Sequence, residues 1–547
     1  MFGGLTKTSS RIAIAAALGM TLGGFAMSAT PAKAADLGGD CCADLEERVA
    51  ELEATTVRKG NKKVSVTLSG WVVKLGSWWD DGHETNFYTG DKDTTLSSHF
   101  QISGSAQISP GWSAGYTIAV EVPGNSASVG FQENQFNDNA WEFTGLGGLS
   151  TNTLLSYMWI KSDRWGTTNW GQLSQATDNV ALLPDLSGTI IEANAVLFDG
   201  AGMFVRPKGV KNSNDLSSDF TWRKVVTCLS LGGGVGADCA GYPYNGFRYD
   251  TPTWAGFSVS SGYYEDDVWD VAVKYAADWN SIKFSAAVGY TSETDEGCRG
   301  SGAPCTNNTI LGGGGAAHQN FRKDTNIFQA GASVLHVPSG LFVYGLYQRE
   351  QNDGTQIQTV KFDSSDNAFK LHDSNANEND VWYIKAGIKR AWMPAGATVI
   401  FGEYGQYRDQ FSGLCDQPSG NENIIGGNDC QNFLPVGALA QNVNITTGLV
   451  TQHFKKGDAI TESAVVTSSE VKRWGIGVVQ EIDSAAMHVF ARWQHLDLDL
   501  TSTSLGSRCV QSSEEGQFCA PNGHFGDKLK TDWEGLDIFQ IGGVIFF

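Results

Sequence analysis

Five bases in this 547-residue chain sit inside stretches that alternate apolar and polar residues. Arg248 lies between Phe247 and Tyr249, Lys274 between Val273 and Tyr275, and Lys385 between Ile384 and Ala386. Arg473 precedes Trp474, and Arg492 lies between Ala491 and Trp493. Four acids, Asp178, Asp185, Glu192 and Asp199, fall in one long connection. Acids and bases held on opposite sides of a narrow aqueous opening create a transverse field that orients dipolar solutes and sets ion preference. The bland alternative for each acid is a solvated loop residue. An unpaired charge facing lipid at mid-membrane costs roughly 2–4 kcal/mol, so parity turns the five bases inward if the stretches are membrane strands.

Cysteines form the second group. Cys41 and Cys42 are adjacent, and the other eight fall into local pairs: Cys228/Cys239, Cys298/Cys305, Cys415/Cys430 and Cys509/Cys519. No pair has C-x-x-C spacing and no His lies at zinc-finger distance, so loop disulfides are expected, with no metal and no cofactor. One enzyme motif occurs, the G-x-S-x-G of Gly111-Trp112-Ser113-Ala114-Gly115. It needs a strand–turn–helix elbow to expose its serine. Here it begins a strand after Pro110, and Tyr116 and Ile118 continue the alternation, so no enzyme is expected.

The elements that must position these residues are strands. Gly is abundant at 66 residues, Trp numbers 17 and Pro only 13, a mix that favours strands and turns. Lys7 and Arg11, the apolar stretch 12–27 and Ala32-Lys33-Ala34 predict a signal peptide over residues 1–34. Its removal takes away three positive charges and no acid, moving the formal charge from −21 to −24, which argues against nucleic acid as a partner. The rest has no apolar run near the ~18 residues a spanning helix needs, but a barrel carries its lipid signal in alternation.

Sixteen strands are predicted, beginning 64–75, 98–108 and 112–122 and ending 471–481, 486–495 and 537–547. Every second connection is short: 109–111, 163–166, 251–254, 277–281, 336–340, 391–396 and 482–485. Apart from 265–267 the others are long, including 76–97, 123–151, 175–243, 292–325, 350–379, 408–470 and 496–536. A membrane barrel sorts its loops in this way, and all four local cysteine pairs fall in the long class. Trp112, Trp165, Trp254, Trp279 and Trp392 lie by the short turns; Trp78, Trp79, Trp269, Trp382, Trp474 and Trp533 lie near the other ends, as two interfacial girdles require. Backbone in lipid needs partners, so the sheet must close. The fold expected is all-β, a 16-stranded antiparallel transmembrane β-barrel over 63–547, preceded by a periplasmic helical segment, 35–62. In that segment Leu45, Val49 and Leu52 fit a coiled-coil seam, with Arg48 placed to pair with Glu53 of a neighbouring chain; a spacer helix is the alternative.

Three segments carry a resemblance. Residues 40–53 with Lys63-Val64-Ser65-Val66-Thr67-Leu68-Ser69-Gly70, then Trp170-Gly171-Gln172-Leu173-Ser174-Gln175-Ala176-Thr177-Asp178, then Arg248-Tyr249-Asp250-Thr251-Pro252 with Gly256-Phe257, resemble the alphaproteobacterial general porins. The resemblance implies an outer-membrane homotrimer passing small hydrophilic solutes passively, with the third outer loop, here 175–243, folded into the lumen. That loop is longer than the family pattern, and its part around Cys228–Cys239, with Gly232, Gly233 and Gly234, is expected to reach outward. Phe547 resembles the terminal aromatic read by the outer-membrane assembly machinery. Two other readings stay open: a substrate-specific channel, for a sugar for example, which lumen aromatics would favour although parity assigns most aromatics to lipid, and a pore that also tethers the cell wall through its N-terminal helix.

Overall fold

The structure is a computed structural model that describes residues 64–92, 96–122, 152–196, 199–211, 220–228, 234–265, 267–294, 325–363, 368–411, 414–415, 430–431, 462–507, 510–512, 516–518 and 528–547. The signal peptide, the seam residues Leu45, Arg48, Val49, Leu52 and Glu53, and Cys41, Cys42, Cys298, Cys305, Cys509 and Cys519 lie outside them.

Sixteen strands form a closed antiparallel barrel. They are β1 Ser65–Asp80, β2 His99–Ser109, β3 Trp112–Glu121, β4 Asn152–Ser162, β5 Gly166–Leu173, β6 Tyr244–Asp250, β7 Phe257–Tyr264 and β8 Trp269–Trp279, then β9 Ile282–Glu293, β10 Thr325–His336, β11 Leu341–Asp363, β12 Ala368–Met393, β13 Gly396–Arg408, β14 Glu462–Ile482, β15 Met487–Ser507 and β16 Leu536–Phe546. Each pairs with its neighbour in the chain, and β16 closes on β1 from Trp71↔Phe546 to Asp80↔Asp537. Phe547 continues the closure: its N–H donates to Gly70 O at 3.1 Å, and Gly70 N–H donates to Phe547 O at 2.9 Å. The short-turn class is real in backbone terms. Between β8 and β9 only Asn280 and Ser281 intervene, both at positive φ (44° and 70°), the conformation that a two-residue type I′ hairpin demands.

Four strands are longer than a membrane crossing needs. β11, β12, β14 and β15 run 23, 26, 21 and 21 residues, against about 10 for a tilted crossing. Much of the stretch 350–379 expected as loop is therefore a hairpin that continues β11 and β12 past the membrane. Its sequence, such as Thr355-Gln356-Ile357-Gln358-Thr359, is largely polar on both parities, so alternation could not announce it. The backbones of Cys415 and Cys430 lie opposite each other in a short pairing beside this hairpin.

The outer face carries the expected apolar belt, with Val72, Ile118, Met158, Phe247, Val343, Ile400, Ile476 and Ile541 exposed. Trp165, Trp254, Trp279 and Trp392 are 52–82% exposed by the short turns. Trp79 and Trp533 do not join the opposite girdle: Trp79, on the inward parity of β1, is 5% exposed, and Trp533 is 6% exposed and packs inside on Phe220, with ring centroids 5.2 Å apart.

The inner face divides into two halves. From β11 round to β1 the inward side chains include Phe342, Tyr344, Leu346, Val381, Tyr383, Val399, Phe401, Val479, Phe490, Ile538, Val544, Phe546, Trp71 and Val73, each buried. From the start of β1 through β5 the inward positions include Ser65, Thr67, Ser69, Gln101, Ser103, Ser105, Ser113, Thr117, Thr167 and Asn169. The assignment of most aromatics to lipid thus fails on the first half. An apolar inner wall is stable only if something apolar covers it, and the long insert between β5 and β6 does so.

Candidate functional site

The described residues between 174 and 243 fold into the barrel as irregular turns, with one helical turn among them at Trp222–Val225. Val180, Ala181, Leu182, Ile191, Ala195, Met203, Phe220 and Trp222 are at most 4% exposed and join three apolar clusters with the inner wall. Two wall glycines allow the approach. A Cβ on Gly331 would stand 2.0 Å from Ala181 O, and one on Gly289 would stand 2.7 Å from Thr177 Cγ2.

A buried irregular segment carries backbone groups that need partners. The wall supplies them from side chains. Arg248 Nη1 donates to Ser174 O at 2.7 Å, and Tyr264 OH accepts from Ala176 N–H at 3.0 Å. Tyr344 OH donates to Ala181 O at 2.8 Å, Lys385 Nζ to Ala193 O at 2.7 Å, and Tyr407 OH to Ala195 O. Arg473 donates to Asn194 O, and Gln348 and Gln410 both donate to Gly236 O.

The disulfide Cys228–Cys239 forms. The described residues around it do not reach outward: both cysteines are at most 1% exposed and pack against Ile327 on β10. Gln348, inward on β11, accepts from Cys239 N–H at 3.1 Å. Apolar inner-wall area draws this part of the insert in. Cys228, Cys239 and Glu350 are the one group among the described residues close enough to share a metal ion, but sulfurs bonded to each other offer no thiolate.

All five bases expected to face inward do so, and two of them, Lys385 and Arg492, touch the insert's acids. Lys385 Nζ lies 2.6 Å from Asp185, both side chains 0% exposed. Arg492 lies 3.0 Å from Asp199 and 2.5 Å from Glu403 on β13. Arg473 reaches Glu403 at 3.2 Å rather than an insert acid. Glu192 pairs with His488 at 2.6 Å. Arg248 pairs with Asp250 at 3.2 Å, and Lys274 is partly exposed on β8. Contact this close in a dry setting makes these acids and bases fasteners, because leaving one partner alone would strand a buried charge.

Asp178 sits at the insert's root. Asn179 Nδ2 donates to it at 2.6 Å, and Asn179 N–H donates to Asp238 at 3.1 Å. Burial, with Asp238 nearby adding to it, raises the Asp178 carboxyl well above its ordinary range. Burial pushes Asp238 to about 7. For Glu192 and Asp199 burial also pushes upward, but His488 for one and Lys92 with Arg492 for the other more than offset it and hold both below the usual range.

Several partners escaped sequence reasoning. Lys92, from the β1–β2 connection, bonds Asp199 at 2.8 Å and Glu192 O at 3.1 Å. Arg206 on the insert pairs with Asp81 at 2.8 Å. Glu403 bridges Arg473 and Arg492, and it was findable: it is a lone charge between Gly402 and Tyr404, the signal that identified the bases. His488 lies between Met487 and Val489 in the same way.

The sequence matches the Gram-negative porin family over residues 14–428. No curated protein matches it. Among solved structures, an anion-selective porin from Comamonas acidovorans is similar at 14% identity and TM-score 0.44, covering 88% of this chain and 100% of its own. OmpT of Vibrio cholerae is similar at 10% and 0.40, covering 90% and 99%. Salmonella typhi OmpF is similar at 11% and 0.36, covering 89% and 99%. Scores this low support no further inference.

Proposed function

Since the chain belongs to the Gram-negative porin family, it is an outer-membrane channel for small solutes, and we propose that its water path is eccentric, running between the insert and the polar half of the inner wall. The observation that carries this is the division of the lumen. Inward Ser, Thr, Gln and Asn side chains line β1 to β5, whereas the opposite wall is apolar and covered by the insert. Water follows the polar side because an apolar wall gives it no hydrogen bonds. Lys274 borders the path where the insert leaves the wall, and Asp178 and Arg248, buried at that root, anchor it. Asp185, Glu192, Asp199, Lys385, Arg473 and Arg492 hold the insert and so shape the constriction indirectly.

The finer statements belong to the same proposal. Residues 40–53 and the other quoted segments support an alphaproteobacterial member. Leu45, Arg48, Val49, Leu52 and Glu53 support a homotrimer held partly by a periplasmic coiled coil, with contact to the cell wall as a second use of that helix. Phe547 supports recognition by the assembly machinery. Solutes would pass by diffusion, with no catalytic step.

The test is thiol access in single-channel recordings. Cysteine placed at Ser103 or Thr167 should be modified by a water-soluble methanethiosulfonate and lower conductance relative to the parent protein. Cysteine at Val399 or Leu346 should stay unreacted. Equal reaction on both walls would refute the eccentric path.

A further inference from the structure

Among the described residues, the insert leaves one inward indole uncovered. On the apolar half the inward aromatics are sealed: Trp71, Tyr344 and Tyr383 are each 1% exposed. Trp159 is partly exposed although it too points inward, since its β4 neighbours Met158 and Ile160 take the lipid face at 54% and 38% exposure. It stands three residues before the strand's end at Ser162, so it lies about 10 Å from the short-turn mouth.

Its setting is built for a flat ring. Directly opposite on β3 is Gly115, and the indole lies across it: a Cβ there would be 2.2 Å from Trp159 Cζ2. The absent side chain lets the indole lie along the wall. Around it stand neutral donors and acceptors. Ser113 and Thr117 are the inward neighbours of Gly115, Ser105 pairs with Gly115, and Asn169 pairs with Trp159. Ser105 Oγ is 3.1 Å from Ser65 Oγ, and Asn169 Nδ2 donates to Asp250 at 2.7 Å. Lys161 is the next inward residue on the same strand.

We propose that Trp159 and the hydroxyls of Ser105 and Ser113 beside it form a subsite for neutral pyranose sugars on the wall of the channel. An exposed apolar ring face in a water path is unfavourable until a ligand covers it. A pyranose offers the complement, an apolar face of C–H groups ringed by hydroxyls. The indole takes the face, and the accessible hydroxyls of Ser105 and Ser113, which both donate and accept, take the rim. A carboxylated or phosphorylated ring would want more than Lys161: the nearby Arg248 is already paired with Asp250.

The inference rests on the channel reading, and one experiment separates the two. Channels in a planar bilayer are titrated with maltotriose and, separately, with a polyethylene glycol of equal size. In the wild type maltotriose should block current saturably, whereas the polymer should lower it only in proportion to concentration. Trp159→Ala should raise the half-blocking concentration ~tenfold, the loss expected for one aromatic stack, with conductance in salt retained. Trp159→Phe, the variant less disruptive to folding, should keep most of the block. Identical unsaturated responses to sugar and polymer, or an unchanged block in Trp159→Ala, overturn the subsite and leave the channel standing. Block by sugar phosphates alone overturns the neutral ligand. Absence of conductance steps in salt for the wild type overturns both readings.

Discussion

Replacing Asp185 by Asn tests whether the insert's acids are fasteners or field charges. Asp185 and Lys385 are 2.6 Å apart with no exposure. Lys385 also donates to Thr189 Oγ1 at 2.9 Å and Ala193 O at 2.7 Å. The substitution keeps the shape but leaves a buried ammonium with only neutral acceptors, and breaking one side of a buried pair costs ~3–5 kcal/mol. The insert has no regular secondary structure around Asp185, so the cost should appear as local opening of 181–196 and not as loss of the barrel. Opening should become ~10²–10⁴-fold more populated. Amide hydrogen exchange in that segment should accelerate accordingly, and single-channel current should become noisier. The double variant Asp185→Asn, Lys385→Met removes both charges and should regain most of the protection, since Met suits the neighbouring Phe401 and Tyr344 rings. A single variant with wild-type exchange and a shifted reversal potential would refute the argument, because that is how a hydrated field charge behaves.

Five further outcomes follow from the sequence and the structure. Asp238, raised to about 7 by burial, favours the insert in its protonated form. Its contribution is full below the ordinary carboxylate range and lost as pH rises through about 7, so exchange at the insert's root should quicken between pH 6 and 8 and Asp238→Asn should flatten that change. Glu192 and Asp199, held low by their cations, act in the opposite sense, and their contribution should be lost only as pH falls below the ordinary carboxylate range. Serine at both Cys228 and Cys239, which are 11 residues apart, should weaken the insert by ~2–4 kcal/mol, seen as proteolytic cleavage near 228–239. Deleting Phe547 removes the paired hydrogen bonds with Gly70 and should lower the yield of heat-stable barrels, whereas deleting 40–56 should lower trimer yield on native gels and leave the barrel intact.

The barrel was legible because its signals are local. Period-2 alternation, turn chemistry and loop lengths each live within a dozen residues, and they located all sixteen strands with boundaries that mostly agree within three residues. The failures have one cause each. The outward extension of β11 and β12 is polar on both parities, so no alternation marked it. Trp533 looked interfacial by its distance from a strand end, but Phe220, more than 300 residues away, decides its place.

The site was less legible because the insert is held by partners that sequence distance hides. Lys92 and Asp199 are separated by 107 residues, and Glu192 and His488 by 296. Parity correctly turns Lys385, Arg473 and Arg492 inward, yet says nothing about what meets them. One clue did lie in the sequence. In Ala397-Thr398-Val399-Ile400-Phe401 both parities are apolar after Thr398, and a strand with lipid on one side and water on the other has no need of that. Val399 and Phe401 are buried while Ile400 is exposed, so the second apolar parity specifies a dry inner wall. The same reasoning applied to β2 and β3, where Gln101, Ser103, Ser105, Ser113 and Thr117 fill one parity, specifies a wet one. Reading each strand for what both of its faces require, and not only for the face that meets lipid, therefore maps where an insert must lie and where the water path remains.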